Sequence, residues 1–137
     1  MTDKPMERVK KFHKTFGAYR KDKPHIPPRE IWEFRVAFIQ EELDELKEGF
    51  ENKDIIEIAD ALGDLSVVID GTYDACCLSD YKDAISEEIF QSNMSKADEN
   101  GNPILREGDG KILKGPNYFK PDLHKVLGIN EEEQKRA

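Results

Sequence analysis

The sequence predicts an all-α fold, a bundle of four to five helices, on three observations. Apolar residues recur at three- and four-residue spacing in four successive stretches, 5–17, 29–50, 54–78 and 79–92. Proline and glycine punctuate the boundaries: Arg20–Pro28 reads RKDKPHIPP, whose three prolines cannot continue a helix, and Gly49–Lys53 is a short turn. The composition, 37% apolar and 36% charged, suits a small helical protein whose core is modest or is completed by a second copy.

The first helix places Val9, Phe12 and Phe16 on one face and stops at Gly17. Residues 1–29 hold nine bases against three acids, a basic arm on a chain of net charge −8. In the second helix, about Arg29 to Phe50, Ile31, Phe34 and Phe38 form a stripe. Glu42 and Glu45 continue it, lying within about 40° of Phe38 at 100° per residue. Acids on a face that should be buried contradict the binary pattern, and such contradictions gather at functional sites. Asn52 is the expected N-cap of the third helix, Asp54 to about Leu78. That helix carries Ile55, Ile58, Ala59, Leu62, Leu65 and Ile69 on one side. Glu57, Asp60 and Asp64 lie on the other and run on into Val67, Val68 and Gly71, so both sides are expected to pack. A short turn between the two helices makes them antiparallel neighbours and brings the two acid sets together.

Ser79-Asp80 is the expected cap of a fourth helix with Tyr81, Ala84, Ile85, Ile89 and Phe90 inward, ending in Ser92-Asn93-Met94-Ser95-Lys96. Beyond it, Asn100-Gly101 and Asp109-Gly110 signal turns, and Pro103–Arg106 and Lys111–Lys114 are expected to pair as a small hairpin. Pro116–Leu123 reads as an irregular strap, and the terminal EEEQKRA as a frayed end. At 137 residues this makes one domain, with a core over about 5–98 and a C-terminal extension over about 99–137. No apolar run approaches the length of a membrane span and the N-terminus has no apolar signal segment, so a cytoplasmic protein is expected. Adjacent Cys76 and Cys77 form no disulfide framework, in keeping with a reducing compartment.

Chemistry concentrates between residues 41 and 64, where ten carboxylates face two lysines, Lys47 and Lys53, leaving a local charge of −8. Reduced to its acids, the region reads Glu41-Glu42-x-x-Glu45, eleven residues, then Glu57-x-x-Asp60, with Asp64 one turn on. Carboxylates three apart on each of two facing helices make a hard, oxygen-rich cage suited to Mg²⁺ or Mn²⁺. A di-iron bundle would use Glu-x-x-His, and none of His13, His25 and His124 stands three residues after a Glu. Glu42, Glu45, Glu57, Asp60 and Asp64 are therefore the candidate metal ligands. Asp44, Glu48 and Glu51 read as a solvated face. Glu41 falls at the edge of the buried stripe. A carboxylate held on a cation is a poor base, so Glu41 is the candidate general base just outside the ligand set.

With these residues in place, the sequence resembles the all-α nucleoside triphosphate pyrophosphohydrolases, the MazG and phosphoribosyl-ATP pyrophosphohydrolase relatives. Their Glu-Glu-x-x-Glu, spacer and Glu-x-x-Asp pattern is similar to residues 41–60. Further likeness comes from Asp60-Ala-Leu-Gly-Asp64-Leu, Ser92-Asn93-Met94-Ser95-Lys96, and Gly110–Pro116. Where many relatives carry an acid three residues before an ELGD-like Asp, this chain has Ala61, so Asp60 and Asp64 remain alternative principal ligands. The resemblance implies a Mg²⁺-dependent split of a (d)NTP at the α-phosphorus into monophosphate and pyrophosphate. It also implies a homodimer or dimer of dimers. A triphosphate needs cations to approach so acidic a surface. Lys96, Lys111 and Lys114 are candidates to complement the leaving pyrophosphate, and Asn93 to bond a phosphate or the sugar. The same acid balance repels a nucleic-acid backbone, so no nucleic-acid partner is expected. The second class of function kept in view is a non-catalytic nucleotide- or metal-binding or helical assembly module on the same fold.

Overall fold

The structure, a computed structural model, describes residues 3–137; Met1 and Thr2, the start of the basic arm, lie outside the described residues. The fold is all-helical, and its residues gather into two compact units, one running to Asp80 and one over Tyr81–Arg136.

The first unit holds three helices. α1 (Pro5–Thr15) opens with proline, whose missing N–H costs nothing in a first turn, while Glu7 accepts from the Lys4 backbone N–H at 3.1 Å. The chain leaves it through Gly17 at φ +69°. α2 (Arg29–Glu51) starts directly after Pro27-Pro28, with the Pro28 carbonyl accepting from Ile31 and Trp32. α3 (Ile55–Ala75) is capped by Asp54, which accepts from the N–H groups of Ile56 and Glu57. This corrects the expected Asn52 cap: Asn52 ends α2 instead, and Lys53 at φ 52° turns the chain so that only Asp54 reaches the orphan donors.

The α2–α3 hairpin is antiparallel and its register is fixed at the turn. A Cβ on Gly49 would sit 3.0 Å from the Ile58 side chain and 3.1 Å from its backbone N, so glycine is what allows the two helices to come this close. At the other end, Arg35 donates from Nη2 to the Val68 carbonyl at 2.9 Å and from Nε to Thr72 Oγ1 at 3.4 Å. Its guanidinium occupies the space a side chain at position 71 would need. α1 is tied to the C-terminal part of α3 by His13 and Asp74 and by a Lys10–Asp80 ion pair.

The face of α3 that packs is the one holding Ala61, Gly71 and Ala75, whereas Ile55, Leu62 and Ile69 of the expected inward stripe are exposed. Phe34, Phe38, Leu43 and Phe50 of α2 are exposed too. Among the described residues of this unit, Val9, Pro27, Ala61 and Ala75 are the buried apolar side chains, a small core for three helices. No helix is long and apolar enough to cross a membrane.

The second unit begins with a 3-10 turn (Ser79–Tyr81 straddles its start) and α4 (Lys82–Met94), where Tyr81 stands at the N-cap with no side-chain bond. The expected Ser79-Asp80 cap is not made, because Ser79 donates to Asp74 and Asp80 pairs with Lys10. Of the expected inward residues Ile85 is buried and Tyr81 half-buried, while Ala84, Ile89 and Phe90 are exposed. The expected hairpin is a single antiparallel bridge, Leu105 to Ile112, flanked by bonds from Arg106 to Lys111 and from Leu113 to Ile104. The strap is pinned to α4 by its serines: Ser92 Oγ donates to the Phe119 carbonyl at 2.8 Å and Ser95 Oγ accepts from the Phe119 N–H at 3.1 Å. Gly115 lies so near the carbonyls of Lys96 and Ala97 that any side chain there would clash. α5 (Leu123–Leu127) is capped by Asp122. α6 (Glu131–Arg136) forms where a frayed end was expected: Asn130 caps the Glu133 N–H, and three acids in the first turn with two bases in the last complement the helix dipole.

Candidate metal centre

Counting from the contact of Gly49 with Ile58, each step back along α2 meets a step forward along α3. Glu42 therefore falls opposite Leu65 and its neighbour Asp64, and Glu57 falls opposite Phe50, more than a full turn past Glu45. The result is a three-carboxylate cluster of Glu42, Glu45 and Asp64, whose ligand oxygens all lie within 4.8 Å of one another. Glu42 and Glu45 are half-buried and Asp64 is exposed, so the cluster opens to solvent on the α3 side.

The electrostatics of Glu42 mark it as the strained member. Its carboxyl is pushed up to about 7, first by desolvation, then by its hydrogen bond and charge repulsion with Glu45 and by the charges of Asp64 and Glu41. Its Oε2 is buried and has no hydrogen-bond partner among the described residues. A buried acceptor without a donor is costly, and an oxygen set of this kind is satisfied by a proton or by a hard cation. The donor set thus fits the Mg²⁺ or Mn²⁺ that the acid spacing implies.

The remaining candidates are placed as follows. Glu41 is exposed beside the cluster and acts on Glu42 through its charge. Glu57 is half-buried and accepts from Asn52 Nδ2 at 3.4 Å, and Asp60 is exposed; neither enters the cluster. In the second unit Asn93, Lys111 and Lys114 are exposed and Lys96 is half-buried, with the Lys114 ammonium 4.8 Å from the Tyr118 ring centre.

Sequence reasoning did not single out the charged residues farther along the hairpin. Asp74 is 2% exposed and receives His13 Nδ1 at 2.9 Å and Arg20 Nε at 3.3 Å, with Ser79 Oγ at 3.4 Å. Asp70 is also buried, and Arg35 is half-buried with its pKa lowered by desolvation. The signal was present: Asp70 and Asp74 interrupt an apolar run, and Arg35 stands beside Phe34.

A helical hairpin that gathers hard carboxylates at mid-length, inside an all-α fold, defines the chain as a member of the MazG-like all-α NTP pyrophosphohydrolase superfamily. Within that class it belongs to the phosphoribosyl-ATP pyrophosphohydrolase family, whose model matches residues 9–93, from α1 to the end of α4. No curated protein matches the chain. Among solved structures it is similar to a crystal structure from Exiguobacterium sp. 255-15 described as a "putative NTP pyrophosphohydrolase", at 21% identity over 100% of both chains with a TM-score of 0.36.

Proposed function

We propose that this protein is a Mg²⁺-dependent nucleoside triphosphate pyrophosphohydrolase that converts a (d)NTP to its monophosphate and pyrophosphate, with nucleotide-pool cleansing as a fitting role. The observation that carries the reading is the orphaned, buried Glu42 oxygen inside a cluster of three carboxylates. Glu42, Glu45 and Asp64 hold the cation, with Mn²⁺ an acceptable substitute, and Glu57 and Asp60 serve as further ligands on the facing helix. The bound cation supplies charge neutralisation for the triphosphate and polarises the α-phosphoryl group.

Glu41, exposed at the rim and outside the ligand set, takes the proton from the attacking water. Asn93, Lys96, Lys111 and Lys114 supply donors to the phosphates and sugar, and their side chains make no charged pair among the bonds described above. The same reading takes the protein as a single domain acting in the cytoplasm without a nucleic-acid partner.

Assembly belongs to the same proposal. The exposed faces of α2 and α3 carry Phe34, Phe50, Ile55 and Leu62, each able to contribute about 1.5–3 kcal/mol when buried. A second copy in a homodimer, or in a dimer of dimers, covers them. A sedimentation experiment at micromolar concentration is expected to return at least a dimer, and a monomer contradicts this.

The activity is tested by incubating the protein with Mg²⁺ and each (d)NTP in turn and measuring pyrophosphate and monophosphate. Release in equal amounts is expected. Nucleotide and metal binding without release would identify the non-catalytic module instead.

A further inference from the structure

The C-terminal end of α3 carries a residue that its backbone does not favour. Cys76 is the C-cap at φ −88°, the N–H of Cys77 donates to the Asp74 carbonyl at 3.0 Å, and the N–H of Leu78 donates to the Tyr73 carbonyl at 2.7 Å. In this paired-bond ending the residue after the cap turns left-handed, and glycine fills that place by default. Here it is Cys77, at φ 56°, where an L side chain crowds the following carbonyl. Its S–H donates to the Lys21 carbonyl, and the Cys76 carbonyl accepts from the His25 N–H at 3.1 Å. Both thiols are free and half-buried, held against the linker between α1 and α2. A strained position that keeps a reactive side chain where glycine would sit more easily points to a use for that side chain.

Two consecutive thiols close on each other only with difficulty. Across a trans peptide their Cα atoms are about 3.8 Å apart, below the roughly 4.4–6.8 Å of ordinary disulfides. An atom set between the sulfurs relieves this, because bonds of about 2.3 Å on either side, as in zinc thiolates, let the sulfurs stay well apart. The Cys76 thiol is pushed up first by desolvation and then by the charge of Cys77, with Arg35 acting the other way, so it stays protonated and slow toward oxidants. A soft ion displaces such protons. Among the described residues no third ligand joins the pair: the one group of three His, Cys, Asp or Glu ligand atoms is the carboxylate cluster. The His25 ring is engaged by the Lys23 carbonyl at 2.8 Å and the Tyr19 hydroxyl at 2.7 Å. Two sulfurs fall short of the four ligands of a structural zinc site and suit a soft centre of low coordination number.

We propose that Cys76 and Cys77 chelate a soft, thiophilic centre of low coordination number, monovalent copper or an organic trivalent arsenical, at a site separate from the carboxylates. Cys76 lies twelve residues beyond Asp64, about 18 Å along α3. Phenylarsine oxide loads by losing its As–O bond and gaining two As–S bonds, and one water leaves with both thiol protons. With Cu(I) the two protons pass to the buffer, and in neither case does an electron move. The S–H that held Lys21 is consumed, so occupation releases the linker from Cys77.

The test is titration of the full-length protein, kept reduced with a phosphine and free of other metals, with phenylarsine oxide and, separately, with Cu(I) held by a chromogenic chelator. One arsenical per chain is expected by intact mass, with both thiols lost to a thiol reagent. Cys76→Ser and Cys77→Gly are each expected to weaken binding at least about 100-fold, since the second thiolate binds within an already tethered complex. Cys77→Gly puts the usual residue at the left-handed position, so that variant is expected to keep the native circular dichroism, and lost chelation there is not lost folding. Cu(I) retained against the chelator, with the same dependence on both cysteines, identifies copper as a ligand of the site; the arsenical bound alone restricts the site to trivalent arsenic. Binding of neither probe, binding by either variant as tight as by the unmodified chain, two arsenicals per chain, or closure of the pair to an intrachain disulfide by mild peroxide overturns the site.

Discussion

Asp74 and Glu42 both hold carboxyl oxygens out of water, on neighbouring helices of one hairpin, yet they are neutralised in different ways. Asp74 is surrounded by groups from its own chain: His13 from α1, Arg20 from the linker and Ser79 beyond α3 all point at it. Glu42 has Glu45, Asp64 and Glu41 for company and an oxygen without a partner. Burial of a carboxylate is tolerated when a partner comes with it, and of these two the fold brings that partner to Asp74. The first cluster is complete and fastens α1 to the hairpin. The second is completed only from outside, by a proton or by a hard cation, and that is what makes it a candidate site.

The largest expected effect sets these clusters apart by activity. Glu45→Gln or Asp64→Asn removes an oxygen ligand while keeping shape, so turnover is expected to fall below detection with Tm unchanged or raised, since like-charge repulsion is relieved. Glu57→Gln is the sharper companion: with Glu57 bonded to Asn52 outside the cluster, a loss of activity equal to that of Glu45→Gln would show that the ligand set closes further when metal binds. Full activity in both Glu45→Gln and Asp64→Asn would break the comparison altogether.

Next comes Glu41→Gln, expected to lower kcat by about 100-fold, the usual scale of general-base catalysis, with Mg²⁺ affinity little changed. A variant that instead recovers its rate at high Mg²⁺ makes Glu41 a ligand and moves the base to Glu42 or Asp64.

How far these roles were legible in the sequence depends on what fixes them. Helix existence was written in spacing and punctuation: Val9, Phe12 and Phe16 before Gly17, and Pro27-Pro28 before Arg29, place α1 and the start of α2 within a residue or two. The acid motif on α2 was readable because Glu42 and Glu45 break an apolar stripe. The partner acid on α3 was not. Asp60 and Asp64 differ by one turn, and the choice is made by the close approach of Gly49 to Ile58, a tertiary contact with no local signature. The Asn52 cap failed for a similar reason, since Asn52 and Asp54 are both good caps and the positive φ of Lys53 decides between them. The Asp74 cluster needed long-range pairing across sixty-one positions to His13, beyond any periodicity argument.

On the Asp74 side, the measurement is stability. Asp74→Ala leaves His13, 6% exposed, without its acceptor and is expected to cost about 3 kcal/mol, read from denaturant midpoints at constant m. Because Asp74 lies ten residues beyond Asp64 on α3, about 15 Å along the helix, and does not belong to the cluster, residual folded protein should retain Mg²⁺ affinity. Loss of metal binding at temperatures where the variant is fully folded would mean that the two clusters are coupled through α3.

The smallest effect is the most specific to Glu42. Its carboxyl titrates near 7 in the metal-free fold against an ordinary value of 4.5, so the folded chain holds the proton more tightly than the unfolded one. The sign follows from linkage: protonated Glu42 contributes stability that is fully present below the ordinary value and is lost as pH rises through about 7. A cation competes for the same oxygens, so binding must expel that proton. Apparent Mg²⁺ affinity should therefore rise about tenfold per pH unit below the titration point and level off above it, with close to one proton released per ion near pH 6. Calorimetry in two buffers of different ionisation enthalpy reads the released proton directly. Glu42→Gln should abolish the release and flatten the pH dependence, because amide oxygen binds the ion weakly but carries no proton to displace. An affinity that does not change from pH 5.5 to 8 in the unmodified protein would show that Glu42 is no ligand, and that its orphan oxygen is answered by the proton alone.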